Sequence, residues 1–273
     1  MLLTILDYFI EPWMLAIMLA VVCVTFSAGL LSPYVVANRM AFFSDAVAHS
    51  TLAGVALGML LGMNEPTFMM IGFALLVGLI IGLVRQKSSI SLDALLGVAM
   101  AGALAAGVVM YSKAKQATDL HGYLFGNVAF ITWSDTAMLA GVAVVVLLVV
   151  VFAGNKFALI AVSRNLALSR GIRVALYEYI LILVLALVVA VSVRAVGLLL
   201  VNALLVTPAA TARNFTRSFR GMVWGSLIVS ILSGLVGLFS ASWLSWPEGP
   251  TIVVAAVVMF ALSNLVVRTS RPQ

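Results

Sequence analysis

Charge is what this sequence has least of. Of its 273 residues only 9% are Asp, Glu, Lys or Arg, while 64% are hydrophobic and the mean hydropathy is +1.23. A soluble domain carries roughly 25% charged residues, so this chain cannot cover a water-facing surface and a soluble enzyme is excluded. Cysteine is almost absent too. The one thiol, Cys23, sits in an apolar run, which removes a disulfide framework and a thiolate metal cluster. No G-x-x-x-x-G-K-[ST] phosphate loop occurs, nor HExxH, nor G-x-S-x-G, so neither phosphate-loop ATP binding nor intramembrane hydrolysis is expected. The alternation of a membrane β-barrel is missing as well.

Long apolar runs are what remain, each of about 18 or more residues and able to cross ~30 Å of hydrocarbon as a helix. Nine spans are predicted: Trp13–Ala37, Asp45–Gly62, Thr67–Val84, Leu92–Tyr111, Thr136–Ala153, Val174–Val193, Ala195–Ala212, Met222–Trp243 and Pro250–Val267. The fold class is therefore all-α, a polytopic helical membrane protein with residues 1–273 as one transmembrane domain. Alternating sides through nine crossings sorts the basic residues: twelve of the fifteen fall on one side, leaving Lys113, Lys115 and Arg194 on the other. Positive charge stays in the cytoplasm, which puts the N-terminus outside and the C-terminus inside. The N-terminal MLLTILDYFIEPW has no Lys or Arg, the wrong flank for a secretory signal, so the first run is expected to persist as a span. Arg194 is nearly alone between the sixth and seventh spans, as in a tilted or re-entrant pair. The longest loops are expected at Ser112–Asp135 outside and Gly154–Arg173 inside.

Ionisable side chains inside spans are costly and point to function. In FFSDAVAHSTLAG, Asp45 and His49 stand at i and i+4, on one helix face about a turn apart. A carboxylate and an imidazole suit Zn²⁺ and related divalent ions. A straight helix from Arg39 would carry His49 about 15 Å into the membrane. The plainer alternative has Asp45 capping the helix start and His49 bonded to a carbonyl. Ser50, Gly54, Gly58 and Gly62 form a small-residue stripe that admits a close neighbour and keeps this helix inside the bundle. In the outer loop, Asp119 and His121 either receive metal at the mouth or are simply solvated. Pro208 kinks the seventh span, and Asn202, Thr207 and Thr211 either satisfy the freed carbonyl or line a path. The inner loop joins Lys156, Arg164, Arg170 and Arg173 to Leu166, Leu168 and Ile172, more than anchoring by charge needs, and reads as an amphipathic docking helix.

RMAFFSDAVAHSTLAGVALG, ISLDALLG, DLHGYLFGN, SRGIRV, GLLLVNALLVTPAATAR and EGPTIVVAAVVMFALS together resemble the membrane subunit of metal ABC importers, the zinc/manganese permease family, with most likeness to its bacterial zinc-uptake members. The resemblance covers about Trp13 to Val267. It implies a permease without its own nucleotide site, in the bacterial cytoplasmic (inner) membrane, as a homodimer with two cytoplasmic ABC ATPase subunits and a periplasmic or surface metal-binding protein. It implies no tightly bound cofactor, zinc as the transported substrate, and membrane lipid but no nucleic acid as partner. It implies Asp45 and His49 as pathway ligands and Arg164, Leu168, Arg170, Gly171, Ile172 and Arg173 as the ATPase-docking segment. The alternatives are a manganese or iron permease of the same family, a secondary metal transporter that needs no ATPase, and an assembly protein with no conduction path.

The charge sorting makes a direct prediction. A tag at Gln273 is protected in sealed cells, and a cysteine placed at Glu65 reacts with a membrane-impermeant thiol reagent from outside. Labelling of both positions from one side would overturn the odd number of crossings.

Overall fold

The computed structural model describes residues 11–63, 65–88, 90–113, 128 and 131–270, with side chains as far as 266. Ten helices lie in these segments: α1 Pro12–Ala37, α2 Phe43–Leu60, α3 Thr67–Lys87, α4 Leu92–Lys113, α5 Trp133–Val162, α6 Arg164–Ser169, α7 Val174–Val196, α8 Leu198–Phe215, α9 Phe219–Leu244 and α10 Glu248–Ser270. Among the described residues, all but α6 are long and apolar enough to cross a membrane, which makes nine spans.

Local chemistry sets the helix starts. Pro12 opens α1, where its missing N–H costs nothing. Thr132 and Asp135 form a reciprocal capping box that starts α5 three residues before the expected Thr136. Ser163 and Ser218 cap α6 and α9 by accepting from Leu166 N and Gly221 N, at 3.3 and 3.1 Å.

α5 also corrects the expected inner loop. It runs on through Gly154, Asn155 and Lys156 to Val162, so nine residues assigned to the loop are helix. The cause is an aromatic cluster. Phe157 is buried edge-on against Tyr34, with ring centroids 5.7 Å apart, and against Tyr177 at 6.2 Å. The Lys156 ammonium donates to the Tyr177 hydroxyl at 2.5 Å and lies 4.7 Å from the centre of its ring. A lysine with its stem on apolar surface and its head on a phenol does not end the helix.

Packing rests on small residues and on hydroxyls that bond across helices, as lipid-embedded interfaces require. Ser226 and Ser230 of α9 each donate at 2.7 Å to α1, to the Gly29 and Thr25 carbonyls. Ser32 of α1 accepts from the Ala209 N–H of α8 at 3.1 Å, and Thr136 of α5 donates to the Ala16 carbonyl at 3.0 Å. Among the described spans α2 is the most enclosed, followed by α1 and α7, and α4 is the span least covered by the rest of the chain.

The glycine stripe of α2 fixes the depth of the residues that matter. A Cβ on Gly54 would lie 2.7 Å from the Met70 Cα, and one on Gly58 2.6 Å from the Pro66 Cβ. The same antiparallel register sets His49 level with Leu75 and Asp45 level with Leu79, near the middle of α3. α2 thus begins about 9 Å short of the C-terminal end of α3. In the turn before it Met40 is buried, while Arg39 and Phe42 stay exposed.

Replacing Gly54 with alanine should therefore force α2 off α3. Overpacking of this kind costs about 1–3 kcal/mol, and the thermal midpoint of the purified protein is expected to fall, with a larger drop for Gly54→Val. An unchanged midpoint would mean that the close approach is dispensable.

Candidate metal path

Asp45 and His49 lie on one face of α2, and both line a cavity of about 360 Å³ between α2 and α4. Asp45 is the third residue of α2, where the helix dipole favours a carboxylate, but it does not cap the helix. The N-cap is Phe42, with no side-chain cap bond. The carboxylate instead accepts a hydrogen bond from the Asn202 side-chain amide of α8. Asn202 reaches it because Gly197 alone joins α7 to α8, with φ at +87°, a conformation L side chains rarely adopt. Asn202 is then in the second turn of the new helix.

Two polar atoms beside that carboxylate have no partner. Among the described residues, the buried side-chain polar atoms without a hydrogen bond are His49 Nδ1 and Asn202 Oδ1. The carbonyl bond that the plainer reading gave His49 is absent at this nitrogen. Unpaired buried groups are rare and expensive. One nitrogen and one amide oxygen beside a carboxylate form a donor set that fits a divalent cation. Among the described residues no three His, Cys, Asp or Glu side chains are grouped to hold such an ion, so amide oxygen or water has to complete a shell around the pair.

The other expected residues fall elsewhere. Thr211 is buried and turns back onto α8, donating to the Thr207 carbonyl at 2.9 Å; neither residue lines the Asp45 cavity. Asp119 and His121 lie outside the described residues. The docking segment contains a shorter helix than expected, the six residues of α6. Leu168 is exposed, whereas Ile172 packs partly against buried Ile160, Ala167 and Val174. Arg164 pairs with Glu178 at 3.5 Å, and Gly171, at φ +72°, makes the turn back towards α7.

Sequence reasoning missed two ionised residues. Arg194 is not in a linker but in the last turn of α7. It donates to the Thr67 hydroxyl and pairs with Asp135 at 3.5 Å, tying together the ends of α3, α5 and α7. Asp93, in the first turn of α4, lines the same cavity as Asp45 and His49. Its signal in the sequence was an acidic residue opening a span.

Nine membrane-length helices among the described residues, with Asp45 and His49 facing a cavity between two of them, fit a transport protein, and comparison with known proteins agrees. The ABC 3 transport family matches residues 11–267, and the chain belongs to that family. It is 34% identical to the manganese import system permease protein ScaB of Streptococcus parasanguinis, over 89% of this chain and 87% of that protein. It is 33% identical to the high-affinity zinc uptake system membrane protein ZnuB of Haemophilus influenzae, over 85% and 89% of the two chains. Its fold matches a chain of PsaBC from Streptococcus pneumoniae, solved in complex with Fab, with a TM-score of 0.82, 29% identity and coverage of 95% and 94%.

The Asn202–Asp45 contact yields a test. A hydrogen bond to a charged group is worth about 1.5–3 kcal/mol. Asn202→Leu is expected to destabilise the protein by that order, and Asn202→Gln or Asn202→Ser by less, as read from unfolding midpoints of the purified permease. An Asn202→Leu variant as stable as the parent would show that Asp45 does not depend on this donor.

Proposed function

We propose that this chain is the membrane-spanning subunit of an ABC importer for a divalent transition-metal cation, and that Asp45, His49 and Asn202 meet the ion midway. The unpaired His49 and Asn202 atoms flanking the Asp45 carboxylate carry this reading. The family and the manganese and zinc import for which the ScaB and ZnuB relatives are named support the substrate class. Those relatives name manganese and zinc at nearly equal identity, so the ion is argued from the donors. Imidazole nitrogen suits zinc, while manganese favours oxygen. Zinc is the proposed substrate, and manganese is the second reading because Asp45 and Asn202 offer oxygen.

Two or three protein donors hold an ion less tightly than a closed four-ligand cage, as a site that must release its cargo requires. The single transmembrane domain is proposed to work as a homodimer with two cytoplasmic ATPase subunits and an external metal-binding protein. The basic ends of the helices face the cytoplasm. There α6 and the turn after it, Arg164 to Arg173, present an exposed Leu168 among arginines to the ATPase.

In the reconstituted complex, zinc supplied with the binding protein is expected to stimulate ATP hydrolysis and to enter proteoliposomes, with manganese and iron as the comparison. Asp45→Asn removes the charge and keeps the shape; His49→Phe removes the nitrogen. Each should abolish zinc uptake at an unchanged amount of protein in the membrane. Near-normal uptake by both variants would sink the pathway reading, and uptake without the ATPase would favour a secondary transporter.

A further inference from the structure

We infer that Asp93 is a further residue of the cation path, the carboxylate that receives the ion from the Asp45–His49 pair as it moves towards the cytoplasm. The inference rests on the transport reading above and extends it to an exit step.

Asp93 and the Asp45–His49 pair share one cavity, whose walls between them include Phe42 and Leu96. α2 and α4 pack side by side and run in the same direction. A Cβ on Gly107 of α4 would lie 3.2 Å from the Ala53 backbone of α2. Following that register along both helices sets Asp45 level with Ala99, and Asp93 about 9 Å further towards the basic end. That is too far to ligate an ion held by Asp45, in keeping with the lack of any three-residue metal group among the described residues. Asp93 is thus a second station on the path.

Charge at that end shows why a second station is needed. Arg39, Arg85 and Lys87 lie at the inner ends of the helices, and a divalent cation leaving the bundle meets their field. Three carboxylates lie in the inner halves of the described helices: Asp45, Asp93 and Glu178. Glu178 is paired with Arg164 at 3.5 Å. Asp45 accepts from Asn202 and belongs to the first station. Asp93 is exposed and, among the described residues, makes no salt bridge. Its place in the first turn of α4 does not account for it through capping, because Ser91 Oγ accepts from the Ala94 N–H at 3.3 Å. An unpaired carboxylate on the cavity wall offers the departing ion oxygen ligation where it would otherwise face apolar side chains and positive charge.

The experiment uses the full permease with its ATPase and binding protein in proteoliposomes, with zinc and manganese ions as probes. Asp93→Asn is expected to lower the maximal uptake rate about tenfold with little change in KM, and Asp93→Glu to restore it. Equilibrium zinc binding by the purified complex and ATP hydrolysis without metal should both stay at the parent level. Three results would overturn the inference: Asp93→Asn transporting at the parent rate, Asp93→Asn losing zinc binding itself, or a loss explained by less protein in the membrane at a normal rate per molecule. Asp45→Asn, run in parallel, separates the two readings. If it transports normally, the site reading fails; if it is dead while Asp93→Asn is normal, only the exit step fails.

Discussion

A carboxylate in the middle of a membrane bundle has to be met by something polar, and much of this structure is arranged around that requirement. Transfer of an ionised group out of water is among the most expensive steps in folding unless partners are waiting. Asp45 meets Asn202, which comes from a helix that starts 153 residues later in the chain than Asp45 itself. For that contact to form, α2 must begin well inside the bundle and α8 must begin directly after α7. The close α2–α3 register at Gly54 and Gly58 provides the first condition and the single residue Gly197 the second. Arg194 then holds the end of α7 against α3 and α5 through Thr67 and Asp135, so the start of α8 is fixed from both sides.

The surrounding scaffold is tight where it positions these groups and looser where an ion would pass. α1 and α9 approach through Gly29, Ser226, Ser230 and Gly234, and α2 and α3 through Gly54 and Gly58. Close backbone approach gives van der Waals contact that lipid cannot replace. α4 lacks such an envelope. It meets α2 closely at Gly107 but stands off enough nearer its start to leave the cavity shared by Asp45, His49 and Asp93. Rigidity on one side of the acid–imidazole pair and space on the other suit a site that binds transiently.

Membership of the ABC 3 transport family accounts for what the chain lacks as well as for what it has. The separate ATPase proposed as partner would supply the nucleotide site, and this sequence carries no phosphate loop of its own. The ion contacts proposed here are correspondingly modest in number. Tight chelation would trap the cargo, whereas the proposed set of one carboxylate, one imidazole nitrogen and one amide oxygen would hold it only briefly.

Sequence by itself determined the all-helical class, the nine spans and the shared face of Asp45 and His49. These follow from properties carried within one segment: run length against bilayer thickness, and the 3.6-residue period that sets i and i+4 on one side. The tertiary structure alone decided which polar groups meet across helices. Nothing in the sequence periodicity links Asn202 to Asp45, Arg194 to Asp135, or Asp93 to the Asp45 cavity. Nor does it show that Lys156 continues α5 by resting on Tyr177. Those pairings depend on the depth and register at which helices pack, and register is set by where glycine and serine let two backbones come together. Small residues signal that a close approach occurs, but not with which partner. That choice belongs to the packed bundle, where the cost of an unpaired buried group selects one arrangement over the others.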